Sequence, residues 1–190
     1  MNNQKGALAG LKVLDLTRVL AGPFSTMMLA DLGATILKLE QPVKGDDTRH
    51  MGPFQNGESV YYINLNRNKQ GLTLNLKNPK GKAMFLDLVK EADVVIENYR
   101  PGTMEKLGLG YEELQKINPG IVYAAVSGFG HTGPYSQRPG YDIIAQAMSG
   151  LMSTSGWPDS GPTRTGTAMG DVLAGPSATI GLLAAVYHKM

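Results

Sequence analysis

Short apolar runs at residues 12–17 (KVLDLT), 34–40 (ATILKLE) and 93–97 (DVVIE) alternate with stretches of helical periodicity, and this alternation constrains the fold more than any other feature. Residues 12–17 lead through Gly22-Pro23 into apolar positions at helical spacing over 24–32, which stop at Gly33. Pro23 is placed at the first helical position. Residues 34–40 form the next strand, ended by Gln41-Pro42, and the polar residues 44–56 read as a long surface loop. The pattern then repeats: a short strand at 72–76, a helix opened by Asn78-Pro79 and running to Glu91, a buried strand at 93–97, and a loop at 98–102. A helical pair over 104–118, a strand over 121–127, a loop over 128–140 and a helix over 141–152 follow. A second Gly/Pro/Ser/Thr-rich loop covers 153–170, and a final helix covers 171–190, where Gly175-Pro176 is placed to delay or kink it. Alternating strands and helices predict an open, parallel α/β sheet with flanking helices. Ligands of such sheets sit beyond the carboxyl ends of the strands, so loops 18–23, 41–58, 98–102 and 127–140 are where chemistry is expected.

The chain has 190 residues, 42% hydrophobic and 18% charged, which is enough for a sizeable core and fits one domain. Its 24 glycines and 11 prolines favour many tight turns over a helical bundle. The formal net charge of +2 comes from scattered Lys and Arg, without the basic run that nucleic-acid binding needs, and leaves room for an anionic small molecule. Cysteine is absent, which excludes disulfides, thiolate metal sites and a cysteine nucleophile. Residues 1–6 are polar, and the longest apolar stretch, 180–187, is too short to span a bilayer. The expectation is a soluble protein of the cytoplasm, or of the mitochondrial matrix if eukaryotic, without membrane or nucleic-acid partners.

The motifs, taken singly, each have a structural and a chemical reading. The first strand-to-helix loop, Arg18 to Pro23, lacks Gly-x-Gly-x-x-Gly, so a standard dinucleotide site is not expected, and on spacing alone it is a turn. Asn98-Tyr99-Arg100-Pro101-Gly102 follows a buried strand. It is either a solvated turn or a place where a purine stacks on Tyr99 while Arg100 meets a phosphate. Asp142 and Asp171 each open a predicted helix, Asp142 as a favourably placed carboxylate and Asp171 as an N-cap. The chemical reading of Asp171 is a nucleophile, kept ionised by the helix N-terminus, with backbone N–H groups nearby for an oxyanion. His50, His131 and His188 have no metal-ligand spacing, and the ten methionines read as core filler plus the initiator.

Taken in order, LAGLKVLDLTRVLAGPF, KLEQPVKGDDTR, DVVIENYRPGTMEKLGLGYEEL and GFGHTGPYSQRPGYDIIAQAMSGLM closely resemble family III CoA-transferases. The resemblance runs from about Leu8 to the last residue and keeps the order and spacing of every block. It implies a Rossmann-like large domain, of which residues 1–190 would be the N-terminal part, with the second, small domain absent from this chain. In the family an aspartate in the last Gly-Asp block attacks the acyl-CoA thioester, and Met169-Gly170-Asp171 matches that block. A mixed anhydride at Asp171, an aspartyl-CoA thioester and exchange onto an acceptor acid are thereby implied, with coenzyme A or acyl-CoA as substrate and no tightly bound cofactor.

Family contacts to CoA carry over onto Leu20 and Ala21, onto Leu74, Asn75, Leu76 and Lys77, onto Asn98, Tyr99 and Arg100, onto Lys106, and onto Arg138, Pro139, Gly140 and Tyr141. The cations Lys77, Arg100, Lys106 and Arg138 suit phosphates. Gln41 departs from the formyl-CoA transferases, which carry an arginine there. The related acyl-CoA racemases have a histidine where this chain has Tyr141, and a phenol with an ordinary pKa near ~10 is a poor second base, so transfer is preferred to racemisation. Within the transferases the blocks look most like the branch using succinyl-CoA and dicarboxylic acids such as glutarate, with Arg49 and Arg164 placed to meet a second carboxylate. A catalytically incomplete CoA-binding fragment is the reading from a different class. Family members are roughly twice this length and form interlinked homodimers, so the expectation is a fragment, or one chain of a split enzyme that needs a separate C-terminal-half chain.

Overall fold

The computed structural model describes residues 6–190. Five parallel strands form the main sheet: β1 (Lys12–Asp15), β2 (Thr35–Glu40), β5 (Gln70–Thr73), β6 (Val94–Glu97) and β7 (Val122–Ala125), in the order β5-β2-β1-β6-β7. A two-residue hairpin, β3 (Phe54–Gln55) and β4 (Glu58–Ser59), lies apart from it. The helices are α1 (Ala21–Asp31), α2 (Val60–Asn66), α3 (Pro79–Glu91), α4 (Thr103–Lys106), α5 (Tyr111–Ile117), α6 (Asp142–Met148) and α7 (Met169–Lys189). The strand order reverses between β1 and β6, which creates the crevice where doubly wound sheets hold ligands.

The period of two along the strands sorts the core onto two faces. Val13, Ile36, Val94 and Ile96 point to one side with Leu29 and Ala30 of α1 and Leu182 of α7. Leu14, Leu39 and Val95 point to the other, against Phe85 and Val89 of α3, Met104 of α4 and Leu114 of α5. α3 starts where Asn78-Pro79 predicts: the Asn78 side chain accepts from the Lys80 N–H at 2.9 Å, and proline occupies the first turn, where its missing N–H costs nothing.

Several expectations need correction. α1 begins two residues before Pro23, so this proline is inside the first turn rather than at its first position. β5 lies two residues earlier than predicted, which leaves residues 74–77 as loop at the sheet edge. Residues 44–56 are not a free surface loop, because Asp46 and Thr48 are buried and a short 3-10 turn (Asp47–His50) runs through the segment. α2 has no counterpart in the sequence reading. α7 begins at Met169 and continues through Pro176. At 21 residues it is long and apolar enough, by length and composition, to cross a membrane, whereas the apolar run considered alone is not. One face of it packs on α1. There Gly175 lets the backbones approach, since a Cβ would lie 2.8 Å from Phe24 Cδ1, and Thr179 Oγ1 is 2.9 Å from Ser25 Oγ.

Phe85 is fully enclosed between α3 and the sheet. Phe85→Ala should lower unfolding free energy by about 3–5 kcal/mol in a urea titration, the usual loss for an aromatic core truncation; a loss below about 1 kcal/mol would mean that this face is loosely packed.

Candidate active site at the carboxyl edge of the sheet

The crevice is built first by the loop after β1. Thr17 donates from both N–H and Oγ1 to Asp15 Oδ1, at 2.9 and 2.5 Å, which turns the chain out of the strand. Asn98, just after β6, then clamps the two sides of the switch point: its Oδ1 accepts from the Arg18 N–H at 2.9 Å and its Nδ2 donates to the Arg18 carbonyl at 2.7 Å. Val19 follows at φ +69°, a left-handed conformation that β-branched residues avoid, so the loop stores strain at this point.

Next, the 44–50 segment is pulled down onto the strand ends. Lys38 Nζ donates to the Thr17 carbonyl at 2.8 Å and to Asp46 Oδ2 at 2.9 Å, with both charged groups buried. Glu40 accepts from Arg49 through both oxygens (2.7 and 2.8 Å), from Tyr62 Oη at 2.7 Å and from the Asp46 N–H at 2.7 Å. Burial pushes this carboxyl up, but Arg49, Tyr62 and the Asp46 N–H outweigh burial and bring it to about 2. Arg49 is therefore engaged inside the chain, which removes the expected role of meeting a substrate carboxylate.

Between these parts lies a cavity of about 350 Å³, lined by Thr17, Arg18, Gln41, Asp46, Leu74, Asn75, Leu76, Lys77, Tyr99, Thr103 and Leu107 among others. The structure thus brings together 74–77 and Tyr99, with Asn98 at the rim. Lys106 sits in the same turn as the lining residues Thr103 and Leu107, and Arg100 is exposed next to Tyr99. Leu20 caps α1 and Ala21 faces Gly175 of α7, away from the cavity lining. Arg138 and Pro139 line a second concavity with Phe129, Ile144, Ala147 and Met148. There the Arg138 guanidinium stacks 4.2 Å from the Tyr135 ring centroid. Gly140 is packed against Gly128, where a Cβ on either would lie within 2.4 Å of the other's Cα, so the 128–140 loop is pinched shut at its base. Tyr141 is the exposed N-cap of α6. Sequence reasoning missed Arg18, whose guanidinium lies 5.7 Å from the Tyr99 ring centroid; its position in the loop at the first strand's carboxyl end was the available signal.

Asp171 is the third residue of α7, not its N-cap. The cap comes from α6: Asp142 Oδ1 accepts from the Gly170 N–H at 2.8 Å, while its Oδ2 accepts from Gln146 Nε2 at 2.8 Å. Gln146, also missed, is buried at 1% exposure, and its Oε1 accepts from the N–H and Oγ1 of Thr165, which ties the 153–168 loop to α6. The expected extra stabilisation of the Asp171 anion by the helix N-terminus is not what its surroundings give. Burial first, and the Asp142 charge second, raise its pKa above the ordinary 3.8. The nearby N–H groups are also engaged, Gly170 by Asp142 and Val172 by the Ala168 carbonyl. Asp171 in turn lies near enough to Tyr61 of α2 to raise that phenol, after burial. A half-buried carboxylate with weakened solvation is a more reactive nucleophile than a solvated one once it is ionised.

A raised folded-state pKa means that folding disfavours the anion, so the stability Asp171 contributes is present below 3.8 and is lost as pH rises through the raised value. Asp142→Asn keeps the acceptor for the Gly170 N–H and removes the charge but loses the bond from Gln146 Nε2, so the Asp171 titration followed by carboxyl-carbon NMR should move down toward 3.8 at a stability cost of about 1 kcal/mol. Asp142→Ala should lose the cap as well and cost about 1–2 kcal/mol. An Asp171 titration unmoved in both variants would show that Asp142 does not act on it.

The profile of CoA-transferase family III matches residues 8–190. The acetyl-CoA:oxalate CoA-transferase of Acetobacter aceti is 50% identical over 186 residues, 97% of this chain and 48% of that protein. The human succinyl-CoA:glutarate CoA-transferase is 50% identical over 190 residues, 100% of this chain and 43% of that protein. A crystal structure of a CAIB/BAIF family protein from Brucella suis superposes with a TM-score of 0.93 at 43% identity, covering 97% of this chain and 50% of that one. The chain thus spans about half the length of the relatives it matches. It belongs to CoA-transferase family III.

Proposed function

We propose that this chain is the CoA-binding, nucleophile-bearing part of an enzyme that moves CoA from an acyl-CoA donor to a carboxylic acid, most suitably a dicarboxylic acid. The observation that carries the reading is the pairing of two features: a cavity at the strand-order reversal with Arg18 and Lys77 on its lining, and a half-buried Asp171 whose helix is fixed by Asp142. Family membership and the relatives, named for acetyl-CoA with oxalate and succinyl-CoA with glutarate, support the same chemistry.

In this proposal the ionised Asp171 attacks the thioester carbonyl; the C–S bond breaks and the CoA thiolate leaves a mixed anhydride. The thiolate then attacks the Asp171 acyl carbon and releases the donor acid, giving an aspartyl-CoA thioester. The acceptor carboxylate reverses the two steps and regenerates Asp171. Each step exchanges one activated acyl bond for another. Arg18, Lys77, Arg100 and Lys106 face the phosphates, and Tyr99 offers a ring to the base. Arg138, Pro139, Gly140 and Tyr141 serve the segment nearer Asp171. Large apolar side chains stay exposed on α6 and α7, among them Ile143, Met148, Leu173, Ile180 and Tyr187. The remaining half of the enzyme, as downstream chain or separate subunit, would cover them and supply acid-binding groups, within an interlinked homodimer.

Asp171→Ala should abolish CoA exchange between succinyl-CoA and a panel of acids while leaving CoA affinity within about tenfold, because Asp171 makes bonds rather than anchoring the ligand. An alanine variant that still exchanges CoA at a substantial fraction of the normal rate would end the covalent reading. Arg18→Ala and Lys77→Ala should each weaken CoA by roughly tenfold and a short pantetheine thioester by much less; equal losses for the two ligands would take these cations away from the phosphates.

A further inference from the structure

Glu97 ends β6 at the carboxyl edge of the sheet and is buried at 1% exposure, with no lysine or arginine paired to it among the described residues. Its Oε2 accepts from the Tyr99 N–H at 2.6 Å, which sets the turn that puts the Tyr99 ring into the cavity. Its Oε1 accepts from Tyr123 Oη of β7 at 3.2 Å. His131, in the loop between β7 and α6, places Nε2 3.8 Å from the same Oε1, and this nitrogen is buried with no hydrogen-bond partner. A buried orphan nitrogen costs about 1–3 kcal/mol, and a buried carboxylate without a cation costs more. A movement of about 1 Å would satisfy both groups, and apo-state contacts of this kind are often long.

We propose that Glu97 and His131 form a proton-sharing pair that positions Tyr99 in the nucleotide cavity and ties the 128–140 loop to it. With one proton on the pair, Oε1 and Nε2 are joined by a single charge-assisted hydrogen bond. A second proton removes the carboxylate's charge and loss of the shared one removes the imidazolium's, so in either direction the pair keeps at most one charged partner and the contact loosens. The titratable groups facing Glu97 are Tyr99 on its own loop, Tyr123 on β7, Glu105 on α4 and His131. Burial, opposed by the Tyr99 N–H and Tyr123 and reinforced by Glu105, brings Glu97 up to about 7, so the carboxyl changes state near neutral pH. The loop it holds runs straight into Tyr141 and Asp142, whose carboxylate caps the helix of Asp171, so the same contact bears on both ends of the site. Both residues act through others and are positioning residues.

The inference rests on the CoA-binding reading, so one readout is independent of ligand. Carboxyl-carbon NMR of Glu97 across about pH 5 to 9 should show two coupled steps in the wild type and one in His131→Asn; one and the same step in both would overturn the pair. Calorimetric titration with CoA over that range should give strongest binding near neutral pH. Glu97→Gln can accept from the Tyr99 N–H and donate to Nε2 without titrating, so it should bind within about threefold of wild type at neutral pH and lose the alkaline weakening. Glu97→Ala should bind about tenfold more weakly. A pH profile in Glu97→Gln equal to that of the wild type would reduce Glu97 to a structural role and overturn the inference. A wild type that binds no CoA at any pH, but keeps the two-step titration, would sink the CoA reading and leave the pair standing.

Discussion

Asp15, Lys38, Glu40 and Glu97 are buried in the central strands of the sheet, and none of them tolerates burial alone. Apart from Tyr123 of β7, their partners come from outside the strands. Asp15 is met by Lys69 at 3.2 Å and by Thr17 and Thr26, which together outweigh the upward push of burial and hold its carboxyl low. Lys38 meets Asp46, Glu40 meets Arg49 and Tyr62, and Glu97 meets Tyr99, Tyr123 and His131. The loops that build the cavity are therefore anchored by charge neutralisation inside the sheet, and removing one member of such a pair costs about 3–5 kcal/mol because its partner stays buried and uncompensated. This is how segments without regular structure hold a rigid site.

Much of the scaffold was legible in the sequence because it obeys local rules. Residues 94–96 are a continuous apolar run between Asp93 and Glu97, and the buried β6 occupies 94–97; Asn78-Pro79 is a helix start by capping alone, and α3 starts there. The misses have non-local causes. α2 (VYYINLN) lacks helical periodicity and is placed by Ser59 Oγ, which accepts from the Tyr62 N–H, and by the Tyr62 bond to Glu40. Asp46 looked like a loop carboxylate because it lies in the polar run 44–56, and nothing local announces its partner Lys38 on β2. Gln146 sits on a short helix among apolar residues, and nothing nearby announces that it is buried against the carbonyl of Thr167 and the N–H of Thr165.

The site shows the same division. The family blocks pointed to 74–77, 98–100 and Asp171, and the fold gathers 74–77 and Tyr99 around one cavity. What the sequence could not supply was the environment. Asp171 was expected to be held ionised by its helix N-terminus, yet Asp142 already occupies the Gly170 N–H and brings a second negative charge, so desolvation and like charge win over the helix dipole. Arg49, which the family resemblance offered as a cation for a second substrate carboxylate, is paired with Glu40.

The central claim is that Asp171 becomes covalently acylated during CoA transfer. Exchange should be run with an acceptor acid carrying heavy oxygen in its carboxylate, using the enzyme in its active assembly, and the peptide containing Asp171 should then be weighed by mass spectrometry. An anhydride between acceptor and Asp171 leaves one acceptor oxygen behind when CoA attacks the acyl carbon, so the account predicts heavy oxygen in the Asp171 carboxylate after turnover. Transfer of CoA at the normal rate with no label in Asp171 would contradict it.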